Sequence, residues 1–289
     1  MTPRVLLTPV FHSPEDKRAL ETAFVLARRF KAHVDAVLVQ PDPADTVPLI
    51  GEGVSAETIR RVMESAAAAI EERQKAARAV FDKSLAAHGF LLAEHPAAAT
   101  GKPSASFREM IGRSEDVLAQ QALLADLVVF GAARSDIASD LRAAFEAVLL
   151  RARQPMLLAP VEPTSYIGHN VAIAWNGTPE SKSALDAALP FLEDAVAVHL
   201  LTATSTRTEA DDLNAVTDYL AWHGIASEAV VVEPEDETVG EALMTKATTI
   251  GADLLVMGGY GHTRLRERIL GGVTHHITTH PNLPILLAH

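Results

Sequence analysis

The chain has 289 residues, 48% of them hydrophobic and 21% charged, with a net charge of −12 and no cysteine. That length exceeds one ordinary core and suits two domains of about 100–200 residues each. The composition excludes a disordered or collagen-like chain, and the missing cysteines exclude a disulfide framework, a cysteine-bound zinc and a thiol nucleophile.

The chain opens with MTPRVLLTPVFHSPED, whose apolar stretch is too short for a signal peptide. No apolar run approaches the roughly 20 residues needed to cross a bilayer. A cytoplasmic protein without a membrane partner is expected. From Val5 to Phe30 a short apolar run passes through a polar turn into a helical pattern. Ser13, Pro14 and Glu15 supply an N-cap, a first-position proline and a first-turn acid. Ser55 to His88 reads as one long alanine-rich helix. Its stripe of Ile59, Val62, Met63, Ala66, Ile70, Ala77, Phe81 and Leu85 predicts packing on its own sheet rather than on a partner. The buried-strand pattern ADLVVF (Ala125 to Phe130) follows, then a helical stretch and the short run QPMLLAP (Gln154 to Pro160). VEPTSYIG (Val161 to Gly168) has the character of a domain junction.

Beyond the junction the chain repeats itself. VAIAWNGTPESKSAL restarts the strand–turn–helix pattern, and Thr178-Pro179-Glu180 aligns with Ser13-Pro14-Glu15. ADLLVMGGYGH (Ala252 to His262) aligns with ADLVVFGAARS (Ala125 to Ser135), and LPILLAH aligns with QPMLLAP. Strands are predicted near 171–175, 196–202, 227–232, 254–257 and 284–287. Helices are predicted near 179–192, 210–223, 239–250 and 265–280. Strand–helix alternation implies a parallel sheet covered on both faces, hence a doubly wound α/β fold. Two tandem domains are expected, 1–161 and 168–289.

The segment GGYGHTRLRERILGGVT (Gly258 to Thr274) follows a buried strand and opens a helix. Such loops lie beyond the carboxyl ends of parallel strands, where ligands bind, and glycines let backbone N–H groups approach an anion. It is not a P-loop, a G-x-G-x-x-G fingerprint or a G-x-S-x-G elbow. Arg264, Arg266 and Arg268 lie inside a half that carries 17 acidic and only 6 basic residues from Val161 onward. Two readings stand side by side: an anion site, or a solvated helix face balanced by Glu267. The acidity argues against a nucleic-acid partner. His262, beside Gly261, could donate to a phosphate. The histidines at 275, 276 and 280 lack a placed third ligand, so no metal site is expected. No catalytic set emerges.

With these blocks in view, the chain resembles a tandem member of the universal stress protein family. The resemblance rests on the G-x-x-G-x9-G spacing after ADLLVMG, the closing PILL strand and the opening VAIAWNGTPESKSAL. It implies two five-stranded parallel α/β domains of the adenine-nucleotide α-hydrolase-like kind. These would pack about a pseudo-twofold axis through their last strands, Pro155–Ala159 and Pro284–Ala288. It further implies ATP, possibly with Mg, in the C-terminal domain only. Gly258, Gly261, Gly271, Gly272, Val273 and Thr274 would surround the phosphates, and Ala174, Trp175, Asn176, Thr202 and Ala203 the adenosine. Two departures stand out. Gly272 replaces a Ser or Thr and loses a hydroxyl donor, a net effect of about 0.5–1.5 kcal/mol. Asn176 replaces an Asp and can supply neither a general base nor a carboxylate for Mg²⁺.

In the first half Gly131 remains, but Arg134 takes the second glycine position and Phe11 that of Asn176. Residues 143–149 hold no glycine. That half is expected to bind no nucleotide. The resulting expectation is a cytoplasmic stress-response protein that senses an adenine nucleotide without strong catalysis. It would act as a pseudo-dimeric monomer or a homodimer with an unknown protein partner. A nucleotide-free interaction module and a weak ATPase are the alternatives.

Overall fold

The computed structural model describes residues 1–11, 13–41, 56–95, 101–131, 139–162, 164–204, 210–234, 237–259 and 281–289. The first half runs β1 (Val5–Val10), α1 (Pro14–Phe30), β2 (His33–Gln40), α2 (Ala56–His88), β3 (Leu91–Leu92), β4 (Ser104–Ile111), α3 (Ser114–Ala122), β5 (Leu127–Phe130), α4 (Ser139–Glu146) and β6 (Met156–Leu158). A π-helical turn, Ala147–Ala152, extends α4. The second half runs β7 (Asn170–Ala174), α5 (Pro179–Leu192), β8 (Ala197–Ala203), α6 (Ala210–Trp222), β9 (Glu228–Val232), α7 (Val239–Thr249), β10 (Leu254–Gly258) and β11 (Ile285–Ala288). The expected second-half helices at 179–192, 210–223 and 239–250 are present to within one residue. The expected helix at 265–280 lies outside the described residues.

All these strands form one sheet in the order β3-β4-β2-β1-β5-β6-β11-β10-β7-β8-β9. The two halves meet through their last strands, as expected. The first half adds the two-residue strand β3, and the halves fuse where β6 pairs antiparallel with β11. Every other adjacent pair is parallel. Leu157 faces Leu286, flanked by Met156–Leu287 and Leu158–Ile285. Antiparallel pairing of equivalent strands relates the halves by a local twofold, and it removes two sheet edges that would otherwise stay open. Two apolar layers run along the sheet, one on each face, and each draws on both halves.

The Ala-Asp-Leu step before each fourth major strand now has a physical reason. Asp126 accepts hydrogen bonds from the Arg4 and Val5 N–H groups at 2.7 and 2.9 Å. Asp253 accepts from Gly168, His169 and Asn170 at 2.7, 2.9 and 3.2 Å. Each carboxylate ties the start of its half's first strand to the strand beside it. Arg29 of α1 crosses between the halves. Its guanidinium donates to Ile167 O and to Phe191 O, the latter at 2.8 Å, and lies over the Phe30 and Phe191 rings. Burial pushes its pKa down, opposed by Asp194, Asp253 and Glu193. An arginine remains charged under such a shift. Gly168, at φ +89°, leaves room for it, since a Cβ there would come within 2.6 Å of Arg29 Nη1.

The long helix α2 corrects one expectation. Only its C-terminal half packs on the sheet: Ala77 and Phe81 are buried, with Phe81 against Phe24 and Phe107. Val62 and Met63, in the same predicted stripe, are 37% and 42% exposed. Length is the reason. Thirty-three residues of helix reach about 50 Å, whereas an eight-residue strand such as β4 spans about 26 Å. The overhanging part carries the ion pairs Arg61–Glu57, Arg60–Glu64 and Lys75–Glu71 at helical spacing. Phe81→Ala is expected to cost about 3–5 kcal/mol in urea unfolding, and Met63→Ala less than about 1 kcal/mol.

His33 joins β2 to β4. Its Nδ1 lies 2.9 Å from Ser104 Oγ and its Nε2 3.0 Å from Ser106 Oγ. Ser106 in turn donates to Asp35, which pairs with Arg108. Burial holds the His33 pKa below its ordinary value, with Asp35 opposing and Arg108 assisting. The unfolded chain therefore takes up this proton first as pH falls. The contribution of neutral His33 is complete above about pH 6.5 and is lost below it, toward the lower folded value. The stability gap between wild type and His33→Asn should narrow as urea titrations move from about pH 8 to about pH 5. A gap independent of pH would show that His33 is not held neutral.

Candidate functional site

Because β10, β7 and β8 are adjacent and parallel, their carboxyl ends share one edge of the sheet. Ala174 pairs with Met257 on one side and Leu201 on the other. The Trp175 N–H continues that ladder, donating to Leu201 O at 2.8 Å. The edge thus gathers Ala174, Trp175 and Asn176 after β7, Thr202 and Ala203 at the end of β8, and Gly258 at the end of β10. Thr202 and Ala203 are buried, and Asn176 is exposed. The other predicted residues, Gly261, His262, Gly271, Gly272, Val273 and Thr274, lie outside the described residues. So do Arg264, Arg266, Arg268 and the histidines at 275, 276 and 280.

The turn after β7 is built by side chains. Asn176 Oδ1 accepts from the Thr178 N–H at 3.3 Å and from its hydroxyl at 2.9 Å. Gly177 takes φ +72°, and Thr178 caps α5 by accepting from the Ser181 N–H at 3.3 Å. The Asn176 carbonyl oxygen is therefore committed to the turn, and its NH₂ group is what it offers a ligand. The Trp175 indole N–H is buried without an acceptor among the described residues. An unpaired buried donor is uncommon, and this one sits directly after β7.

Gly258 allows the first turn of α5 to cross the end of β10. A Cβ there would stand 2.7 Å from Glu180 C and Ser181 N. The close approach brings the N–H groups of a helix N-terminus to the sheet edge, which is an arrangement that attracts anions. The Gly259 N–H donates to Ala288 O at 2.8 Å, and its carbonyl lies 3.0 Å from His289 Nδ1. A Cβ on Gly259 would come within 3.0 Å of Leu149, from the first half. The sequence reading missed both neighbours. His289 simply follows the closing strand, and nothing local marks Leu149 as a contact of the other half.

Residues 169–289 match the family model described as the Universal stress protein family. The second half is similar to a universal stress protein domain. Over the whole chain the fold is similar to a universal stress protein from Archaeoglobus fulgidus, with a TM-score of 0.66 at 14% identity, covering 98% of this chain and 97% of that one. It is also similar to a functionally unknown protein from Pseudomonas aeruginosa, with a TM-score of 0.56 at 15% identity, covering 99% and 92%. No curated protein matches the sequence. Outside the matched segment, the first half shares the fold.

Comparing the two halves shows how differently the same corner is furnished. In the first half Gly131 repeats the close approach, its Cβ position 2.7 Å from Glu15 O. There, however, Asp16 occupies the place of Ser181. Its carboxylate accepts from the Phe11 N–H at 3.0 Å and the Ser13 N–H at 2.9 Å, and it is buried. A buried carboxylate already answers the helix N-terminus and repels a second anion. In the second half the neutral Ser181 stands at that place, so the first turn of α5 carries one acid, Glu180, where that of α1 carries two.

Among the described residues, no three His, Asp or Glu side chains cluster to hold a metal ion, and no helix is long and apolar enough to cross a membrane. Gly258→Ala should destabilise the fold by about 1–3 kcal/mol through overpacking against α5, read by urea unfolding. Wild-type stability in that variant would remove the close-approach explanation.

Proposed function

We propose that the universal stress protein domain binds an adenine nucleotide, ATP, at the carboxyl edge of β10, β7 and β8. One observation carries the reading: the glycine spacing Gly258-x-x-Gly261-x9-Gly271-Gly272 starts where β10 ends, inside the family-matched segment. The surroundings fit such a group. The α5 N-terminus and the glycine segment would face the phosphates. The Trp175 indole and the Asn176 amide would donate to the base or ribose. With no carboxylate at position 176, any Mg²⁺ would arrive with the phosphates. The bound nucleotide would supply a charged group whose presence or absence biases the domain's conformation or its choice of protein partner.

In this reading the chain comprises two domains, 1–161 and 168–289. It is a cytoplasmic stress-response protein, a pseudo-dimeric monomer or a homodimer. Its first domain, with Asp16 at the helix N-terminus, carries no nucleotide. Hydrolysis is at most slow, and the acidic second half keeps nucleic acid away.

The test is the nucleotide content of freshly purified protein, released by denaturation and quantified against protein by mass spectrometry. One adenine nucleotide per chain is expected, and Gly261→Val should lose it. Two per chain would overturn the assignment to one domain. None, with no binding of added ATP and Mg²⁺, would sink the reading in favour of an interaction module. Rapid phosphate release would make it an ATPase instead.

A further inference from the structure

A cavity of about 530 Å³ lies between α1, the end of α2 and the segment joining the halves. It is separate from the carboxyl edge of β10, β7 and β8, and its argument does not rest on the nucleotide reading. Lys17, Arg18 and Arg28, from one face of α1, line it. These three cations lie in the half of the chain where acidic and basic residues nearly balance.

The Glu21 carboxylate also lines the cavity and offsets part of their charge, but among the described residues it forms no ion pair with Lys17, Arg18 or Arg28. Glu21 Oε1 accepts from Ser84 Oγ at 2.9 Å, and Oε2 lies 2.6 Å from His88 Nε2. Both of its oxygens are thus engaged. Arg28 is fixed at the end of α2, donating to His88 O at 2.8 Å. Among the described residues Arg18 has only Glu15 at 4.0 Å, beyond hydrogen-bond reach, and its Nη1 is buried without an acceptor. Lys17 makes no hydrogen bond or ion pair with another described residue. The remaining wall mixes apolar Val25, Pro160 and Val161 with the hydroxyl residues Thr22, Thr164 and Ser165.

We propose that this cavity is a binding site for a small phosphomonoester: a phosphate dianion held by Lys17 and Arg18, with an apolar body against Val25 and Val161. A guanidinium fork beside an ammonium suits the several oxygens of a phosphate. The volume is that of a small-molecule site. The ligand would also bear on the junction between the halves. The cavity is walled by the joining segment, and Arg29, next to Arg28, holds Ile167 and Phe191.

The experiment is calorimetric titration of the full chain with phenyl phosphate at low salt, repeated with inorganic phosphate as competitor and in the presence of saturating ATP. Saturable binding that persists under ATP is expected, displaced by inorganic phosphate. Lys17→Gln and Arg18→Gln should each weaken it by about tenfold or more, while Arg18→Lys keeps part of it. Thermal unfolding of the ligand-free variants should match wild type. No saturable binding up to about 10 mM would overturn the proposal. So would affinity unchanged in Lys17→Gln and Arg18→Gln. Binding lost on adding ATP or in Gly261→Val, but kept in the α1 variants, would also overturn it, because the phosphate would then belong to the glycine segment.

Discussion

Everything in this molecule is arranged around the antiparallel pairing of β6 with β11. Both strands are buried along their length and offer only apolar side chains to the two layers. Left unpaired, each would end its sheet in a row of open N–H and C=O groups flanked by leucines. Pairing satisfies those groups and fuses the two cores. It also sets the local twofold that places every other element. The π turn before β6 brings Leu149 against Gly259, so the first half shapes the start of the other half's glycine segment. Arg29 of α1 reaches the last turn of α5, where a cation meets helix carbonyls that lack partners.

The duplication kept the frame and divided the chemistry. Gly131 and Gly258 make the same close approach to a helix start, and Asp126 and Asp253 tie down the same strand start. These are the requirements of the fold, and both halves meet them. The corner beyond the first strand is where they part. Phe11 and Asp16 close it with an apolar ring and a buried carboxylate. Asn176 and Ser181 leave it polar and supplied with donors, with Glu180 as the acid of the first turn. The first turn of α5 carries one negative charge fewer than that of α1, which matters because the macrodipole and the free N–H groups act over the first turn.

Much of the frame was legible in the chain itself. Thr178-Pro179-Glu180 starts α5 where expected, because an N-cap oxygen and a proline act on adjacent backbone groups. The fully apolar runs LVVF and LLVM marked strands buried on both faces. Pairing of the last strands followed from the family resemblance rather than from spacing. The α2 stripe was read correctly as helical. Its periodicity could not tell that the helix outruns the sheet, since periodicity records which face is apolar and not what stands opposite it.

The sequence by itself determined the repeat, the α/β class, the helix starts and the glycine spacing, because each is written in residues a few positions apart. Tertiary structure alone decided that Arg29 would bridge the halves, that Leu149 would abut Gly259, and that Lys17 and Arg18 would line a cavity beside the joining segment. These contacts link residues far apart in the chain, as with Arg29 and Phe191. Nothing in local pattern specifies such a meeting. It follows from the order of strands in the sheet, and that order is settled only when the two cores pack.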